Sequence, residues 1–158
     1  MAATKTTTKP SSTNGKTANV WTDEEKAAMA ESARERKSQA KVTPEQERAA
    51  GEADIQAKIA DMPADDAAMT RRVHELILAA VPAYVPRTYY GMPAYALNGK
   101  TICFFQPKSK FKVRYCTLGF QPDARVDDGT FWPIAFAVTE LTPAVEKQIT
   151  ALVKKAAG

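Results

Sequence analysis

Apolar residues recur at helical spacing in two parts of the chain. In the part that follows Pro63, the apolar positions are Met69, Val73, Leu76, Ile77 and Ala80. Their intervals of three or four residues predict a helix with one core-facing side, which Pro82 ends. In the other part, Thr142 and Pro143 form an N-cap followed by a first-turn proline, and predict a closing amphipathic helix.

The segment before Pro63 has helix-start signals but little apolar surface. Residues 22–25 (Thr-Asp-Glu-Glu) match a capping box, and residues 43–46 (Thr-Pro-Glu-Gln) give a second start signal of the same kind. In the first of these helices, Met29 and Ala33 make only a thin apolar stripe among charged residues. A helix this polar gains little from burial, so we expect a mobile arm.

Past Pro86 the apolar pattern changes to alternation, which is typical of β-strands. We expect strands near residues 87–90, 93–97, 100–106, 110–118 and 133–139. Asn98 and Gly99 predict a tight hairpin between two of them, because both tolerate the positive φ of a type I′ turn. The element order predicts an α+β fold, an antiparallel sheet of about five strands packed by helices.

Composition is that of one globular domain with a basic leading segment. The chain has 158 residues, is 44% hydrophobic and 25% charged, and has a net charge of +4. Residues 1–20 contain three lysines and no acid, so they supply +3 of this charge and the remainder only +1. We expect this basic tail to be disordered. The remaining residues are nearly neutral, whereas nucleic-acid-binding proteins usually carry a strong positive charge. Nucleic acid is therefore not an expected partner.

No membrane or export signal is expected from the pattern. No run approaches the roughly 18 apolar residues of a membrane span, and the N-terminal residues lack the apolar core of a signal peptide. We therefore expect a cytoplasmic protein with no membrane partner. Cys103 and Cys116 both lie in strand patterns, which favours two free, buried thiols over a redox pair or a metal site.

Cations alternate with other residues after the third predicted strand. On a strand, residues two apart share a face, so these side chains would line one side. The alternating cations are Lys108, Lys110, Lys112 and Arg114, and Arg87 and Lys100 could join them from adjacent strands. Two interpretations stay open: a face that binds an anionic ligand or protein partner, or a solvated edge strand protected by lysine against aggregation.

Acidic residues on and between the middle helices are the candidates for a hard metal ion. Such cations need several carboxylate oxygens that converge on one point. The metal candidates are Asp61, Asp65 and Asp66. Acids in the first turn of a helix also stabilise its positive end, which is the alternative interpretation of Asp65 and Asp66.

An ordered series of motifs resembles the YdhG-like domain, a small bacterial family that includes proposed frataxin-like iron chaperones. The series consists of Tyr-Gly-Met-Pro-Ala-Tyr (residues 90–95), Asn-Gly-Lys (98–100), the apolar strand 102–105, Lys-Phe-Lys-Val-Arg-Tyr (110–115), the turn 127–133 and Glu-Leu-Thr (140–142). The resemblance covers roughly residues 69–156 and implies the α+β fold and iron handling, with iron as a possible ligand.

The aromatic motif itself has candidate pocket residues, which are Tyr90, Gly91, Met92, Pro93, Tyr95 and Trp132. We expect Gly91 to allow a bend or bulge and Pro93 to place its strand at a sheet edge. Trp132, with Phe131 and Phe136, is expected to fill the interface between sheet and helices.

Conventional catalysis has little support in the sequence. The single histidine, His74, has no visible partner, and motifs for phosphate cradles, zinc proteases or redox dithiols are missing from the sequence. We therefore expect a non-catalytic binding or chaperone-like module, with iron handling or anion binding as its activity. The expected organisation is a disordered tail (1–20), a charged helical extension (21–62) and a YdhG-like domain (63–158).

Overall fold

The computed structural model describes residues 21–38 and 42–158, so the expected disordered tail lies outside the described residues. Within these residues the chain forms four helices and five strands. The helices are α1 (Asp23–Ser38), α2 (Pro44–Ala60), α3 (Ala64–Ala80) and α4 (Pro143–Ala157). The strands are β1 (Val85–Tyr89), β2 (Met92–Leu97), β3 (Lys100–Gln106), β4 (Cys116–Phe120) and β5 (Ala135–Val138).

The five strands form one antiparallel sheet in chain order, β1-β2-β3-β4-β5. Asn98 and Gly99 have φ values of 52° and 79° between the paired residues of β2 and β3, which confirms the predicted turn. Tyr90 and Gly91 form a second such turn, with φ values of 50° and 71°. The α+β fold with its five-stranded sheet is therefore confirmed.

The main core lies between the sheet and the helices α3 and α4. Val73 and Ile77 of α3 and Val153 of α4 are fully buried against sheet residues such as Leu118. The phenol of Tyr84, just before β1, donates a 3.0 Å hydrogen bond to a backbone carbonyl of α4. The apolar stripe that predicted α3 thus forms the centre of the fold.

Helix α2 packs closely against the edge strand β1. It begins at the predicted capping box, in which Thr43 and Gln46 bond reciprocally. A Cβ at Gly51 would lie 2.7 Å from the carbonyl carbon of Pro86, so glycine is needed for this close approach. Ile55 and Ile59 continue the same helix and are buried.

Two expectations about the sheet were wrong, and a third was met in one of its two forms. Residues 107–115 are a loop, and the strand predicted at 110–118 is confined to Cys116–Phe120. Pro93 lies on the interior strand β2, where it is opposite Thr88 of β1, and the pairing of β2 with β3 begins only at Ala94. Gly91 forms the bend of the hairpin turn between β1 and β2, as one of the two expected forms, whereas the irregular register in β2 falls after Tyr95.

Candidate anion-binding surface

The loop of residues 107–115 is anchored by the first turn of α3. Asp66 is 1% exposed and accepts a 2.8 Å hydrogen bond from the backbone N–H of Ser109. The ammonium of Lys108 lies 3.4 Å from Asp66 and also pairs with Asp65. The hydrogen bond from Lys108 lowers the pKa of Asp65. These contacts, together with the positive φ of Lys112 (54°), explain why the alternating cations do not continue as a strand.

Two of the three predicted metal ligands are thus engaged elsewhere. Asp65 and Asp66 both pair with the ammonium group of Lys108, whereas Asp61 is the C-cap residue of α2 through its backbone N–H. Across residues 21–38 and 42–158, no group of three His, Cys, Asp or Glu side chains could hold a metal ion. A cation at Asp65 and Asp66 would have to displace Lys108.

Helix α1 is docked on the domain through an unusual face and is not the mobile arm expected from its sequence. The residues of this face follow the i, i+4, i+7, i+8, i+11 spacing of a helical stripe. They are Glu24, Ala28, Glu31, Ser32 and Glu35. Ala28 and Ser32 are buried at 2% and 6% exposure. A stripe that is normally apolar is here made of acidic and small side chains, which is why a search for apolar periodicity missed it.

Glu31 is the centre of the contact between α1 and the domain. One carboxylate oxygen lies 3.1 Å from the Lys110 ammonium, and the other pairs with Lys58 from α2. All three side chains are at most about one-third exposed, with relative exposures of 24%, 23% and 36%. Burial lowers the pKa of both lysines, and Lys110 lowers that of Lys58 further. Two partly desolvated cations therefore share one carboxylate.

Two further contacts extend this arrangement along α1. Glu24 pairs with Lys112, whose hydrogen bond lowers the pKa of the carboxyl. Glu35 accepts a 3.0 Å hydrogen bond from the backbone N–H of Gly91. We refer to the side chains of Lys58, Lys110 and Lys112 and the N–H of Gly91 together as the cationic surface.

Gly91 allows α1 to approach the cationic surface. A Cβ at this position would lie 2.5 Å from the Lys110 ammonium and closer still to the Glu31 carboxylate. Its φ of 71° also disfavours any side chain. The glycine of the aromatic motif thus has a physical role that the sequence did not indicate.

Two depressions flank the contact. A cavity of about 500 Å³ is lined by charged and polar groups that include Glu31, Lys58, Asp61, Gly91, Ser109 and Lys110. A more apolar groove of about 530 Å³ lies on the other side and is lined by Trp21, Met29, Tyr90, Phe111 and Val113 among others. The space beside α1 can therefore accommodate atoms of a bound molecule.

The remaining predicted cations do not join this surface. Arg87 pairs with Glu47 at 2.6 Å, and Lys100 pairs with Asp123 at 2.8 Å. Lys100 begins β3, whereas the loop follows its last residue, so roughly 20 Å of strand separates them. Arg114 lies over the ring of its neighbour, 5.3 Å from the centroid. Of the six predicted cations, Lys110 and Lys112 belong to the cationic surface, and Lys108 anchors its loop.

The residues of the aromatic motif are divided between surface and core. Tyr90 lines the apolar groove and Gly91 the charged cavity. Met92, Pro93 and Tyr95 are buried. They do not form the single pocket that their proximity in sequence suggested.

The turn around Trp132 meets the expectation only in part. Trp132 is partly buried against the main core, as is Phe136. Phe131 is 92% exposed, so its predicted place in the interface between sheet and helices was wrong.

His74 has partners that the sequence could not reveal. Its Nδ1 lies 3.0 Å from the hydroxyl of Tyr95, and its Nε2 lies 3.0 Å and 3.1 Å from the two carboxylate oxygens of Glu52. Both ring nitrogens are thus occupied within the fold. Cys103 and Cys116 are free and buried, and burial raises the pKa of both thiols.

Comparison with known proteins adds no assignment. No family model, no curated protein and no solved structure matches the chain. The similarity to the YdhG-like family stays a prediction. Among the described residues, no helix is both long enough and apolar enough to cross a membrane.

Proposed function

We propose that this protein is a non-catalytic, cytoplasmic binding module that recognises a carboxylate-bearing ligand through the cationic surface. The observation that carries the proposal is the position of the Glu31 carboxylate between the ammonium groups of Lys58 and Lys110. Next to it, the N–H of Gly91 donates a 3.0 Å hydrogen bond to a second carboxylate, that of Glu35. Charge-assisted bonds of this kind are among the stronger polar contacts in proteins.

The charge balance favours an anionic ligand over a metal ion. Two partly buried ammonium groups share one carboxylate, so removal of that carboxylate would leave a pair of cations with only the weaker attraction of Asp61 and Glu35. Iron handling, which the YdhG-like resemblance implies, has less support because Asp65 and Asp66 are engaged with Lys108. The side chains of His74, Cys103 and Cys116 are buried, and none of them lines the charged cavity beside Glu31. This supports the non-catalytic part of the proposal.

The test uses the full chain with the internal carboxylates neutralised, Glu31→Gln with Glu35→Gln. Titration calorimetry with an oligoglutamate peptide should give saturable binding that weakens as salt rises, since partly exposed ion pairs are screened. Adding Lys110→Ala should reduce the affinity by about tenfold, the loss expected for one charge-assisted contact. Oligoglutamine is the control ligand.

Lys100→Ala is the matched control variant, because it removes the same charge at the far end of β3. It should leave the affinity unchanged. Absence of saturable binding in the neutralised chain, or an equal loss from both lysine variants, would contradict the proposed function.

A further inference from the structure

We propose that α1 is an internal ligand of the cationic surface, which it closes until an acidic helical segment of a partner protein displaces it. This inference rests on the proposed function and concerns the partner and the regulation of the same surface. The supporting observation is that the face through which α1 is docked consists of acidic and small side chains.

Helix α1 is bound by charges and contributes little to the core. Its buried side chains are the small residues Ala28 and Ser32, and the main core cluster of the described residues contains no α1 residue. By contrast, α3 contributes Val73 and Ile77 to that cluster. Release of α1 would expose cations and the limited apolar surface near Ala28, Met29 and Trp21, but none of the main core cluster.

The contacts of α1 define the chemistry of the partner. Three carboxylates on one face of α1 make the contacts. Glu24 pairs with Lys112, Glu31 with Lys58 and Lys110, and Glu35 with the N–H of Gly91. Between them lie the buried small residues Ala28 and Ser32, and the absence of a side chain at Gly91 leaves room for the Glu31 carboxylate. A partner segment needs the same pattern, namely acidic residues separated by alanine or serine on one side of a helix.

Competition between the two helices follows from their shared contacts. The Glu31 carboxylate occupies the ammonium groups that an incoming carboxylate would use, so both cannot bind at once. The apparent affinity for a partner is then the intrinsic affinity multiplied by the fraction of molecules in which α1 is not docked. The surface therefore binds weakly in the intact chain and tightly once α1 is released.

The experiment measures binding of a labelled peptide with the sequence of residues 21–38 to three full-length proteins. These are the wild type, Glu31→Gln with Glu35→Gln, and the control Asp127→Asn with Asp128→Asn. The control removes the same charge from exposed residues in the loop between β4 and β5. We expect the Glu31/Glu35 variant to bind at least about tenfold more tightly than either of the others.

Hydrogen exchange of the α1 amides in the wild type gives a second readout. These amides should exchange faster when the peptide is added at high concentration, and a peptide with glutamine at positions 24, 31 and 35 should have no effect. Equal affinity of wild type and Glu31/Glu35 variant, with α1 still protected, would overturn the internal-ligand inference while leaving the proposed function intact.

Two other results separate the remaining possibilities. If neither oligoglutamate nor the peptide binds the neutralised variant, the proposed function fails and the inference with it. If a single-stranded oligonucleotide binds that variant more tightly than the peptide does, the partner is not an acidic helix and the inference is overturned.

Discussion

The substitution Gly91→Ala tests whether the hairpin turn controls the docking of α1. Gly91 and Gly99 occupy equivalent positions in two hairpin turns, with φ values of 71° and 79°. A Cβ at Gly99 would meet nothing within 4 Å, whereas one at Gly91 would overlap the Glu31 carboxylate and approach the Lys110 ammonium to 2.5 Å. Gly99→Ala is therefore a matched control that has the backbone strain without the steric overlap.

The two variants are expected to differ both in the interactions that they lose and in the free energy that each loss costs. Alanine in the left-handed region costs each variant about 1–2 kcal/mol in free energy of unfolding. At Gly91 the overlapping atoms are ends of flexible side chains, so they move and the contact between Glu31 and Lys110 is lost. Loss of a charge-assisted contact costs about 1–3 kcal/mol, equal to roughly a 5- to 150-fold change in the docking equilibrium of α1.

The assay combines urea denaturation with hydrogen exchange at neutral pH and low salt. Gly91→Ala should lose at least as much free energy of unfolding as Gly99→Ala, and only Gly91→Ala should accelerate exchange of the α1 amides. If the α1 amides exchange at wild-type rates in Gly91→Ala, or equally fast in both variants, the docking of α1 does not depend on the space that Gly91 provides.

Three other predictions concern stability. Gly51→Ala should lower the free energy of unfolding by at least about 2 kcal/mol, because the backbone carbonyl of Pro86 cannot rotate away from the new Cβ; a loss below half of that in urea denaturation would contradict the close packing of α2. Tyr84→Phe should cost about 1 kcal/mol by the same measurement, since it removes a buried 3.0 Å hydrogen bond to α4, and a neutral result would show that the bond is not needed. The pKa of Glu24 is lowered by the hydrogen bond from Lys112, so its contribution to α1 docking should be fully present above the ordinary value of 4.5 and be lost as the pH falls through the lower docked value. Hydrogen exchange of α1 in acid should show this loss in the wild type and a smaller change in Glu24→Gln, and identical acid profiles would refute it.

Much of the fold could be predicted because its signals are local. The α3 stripe, the capping boxes of α1 and α2 and the Asn98–Gly99 turn each depend on residues no more than a few positions apart. The strand prediction was wrong where charged and other residues alternate along the chain without forming a strand. Residues 110–114 alternate as a strand would, but Asp66 on α3 binds the backbone at Ser109 and the chain forms a loop instead.

The candidate site was predicted only in part for the same reason. Lys110 and Lys112 stood out as cations, but the sequence placed them on a strand face that Arg87 and Lys100 could join. The structure has a loop there and separates Arg87 and Lys100 from it. The contribution of Lys58 had no sequence signal, since a single lysine on a polar helix is ordinary.

By itself, the sequence determined the α+β class, the order of the elements and the positions of three helix start signals and one turn, because these depend on interactions between near neighbours in the chain. Only the tertiary structure decided what the acidic face of α1 does. Glu31 and Lys110 are 79 positions apart, and Glu24 and Lys112 are 88 apart. Charges so distant in sequence interact only after the sheet, α2 and α3 have placed the loop of residues 107–115 beside Gly91. A spacing pattern along the chain cannot predict such a contact.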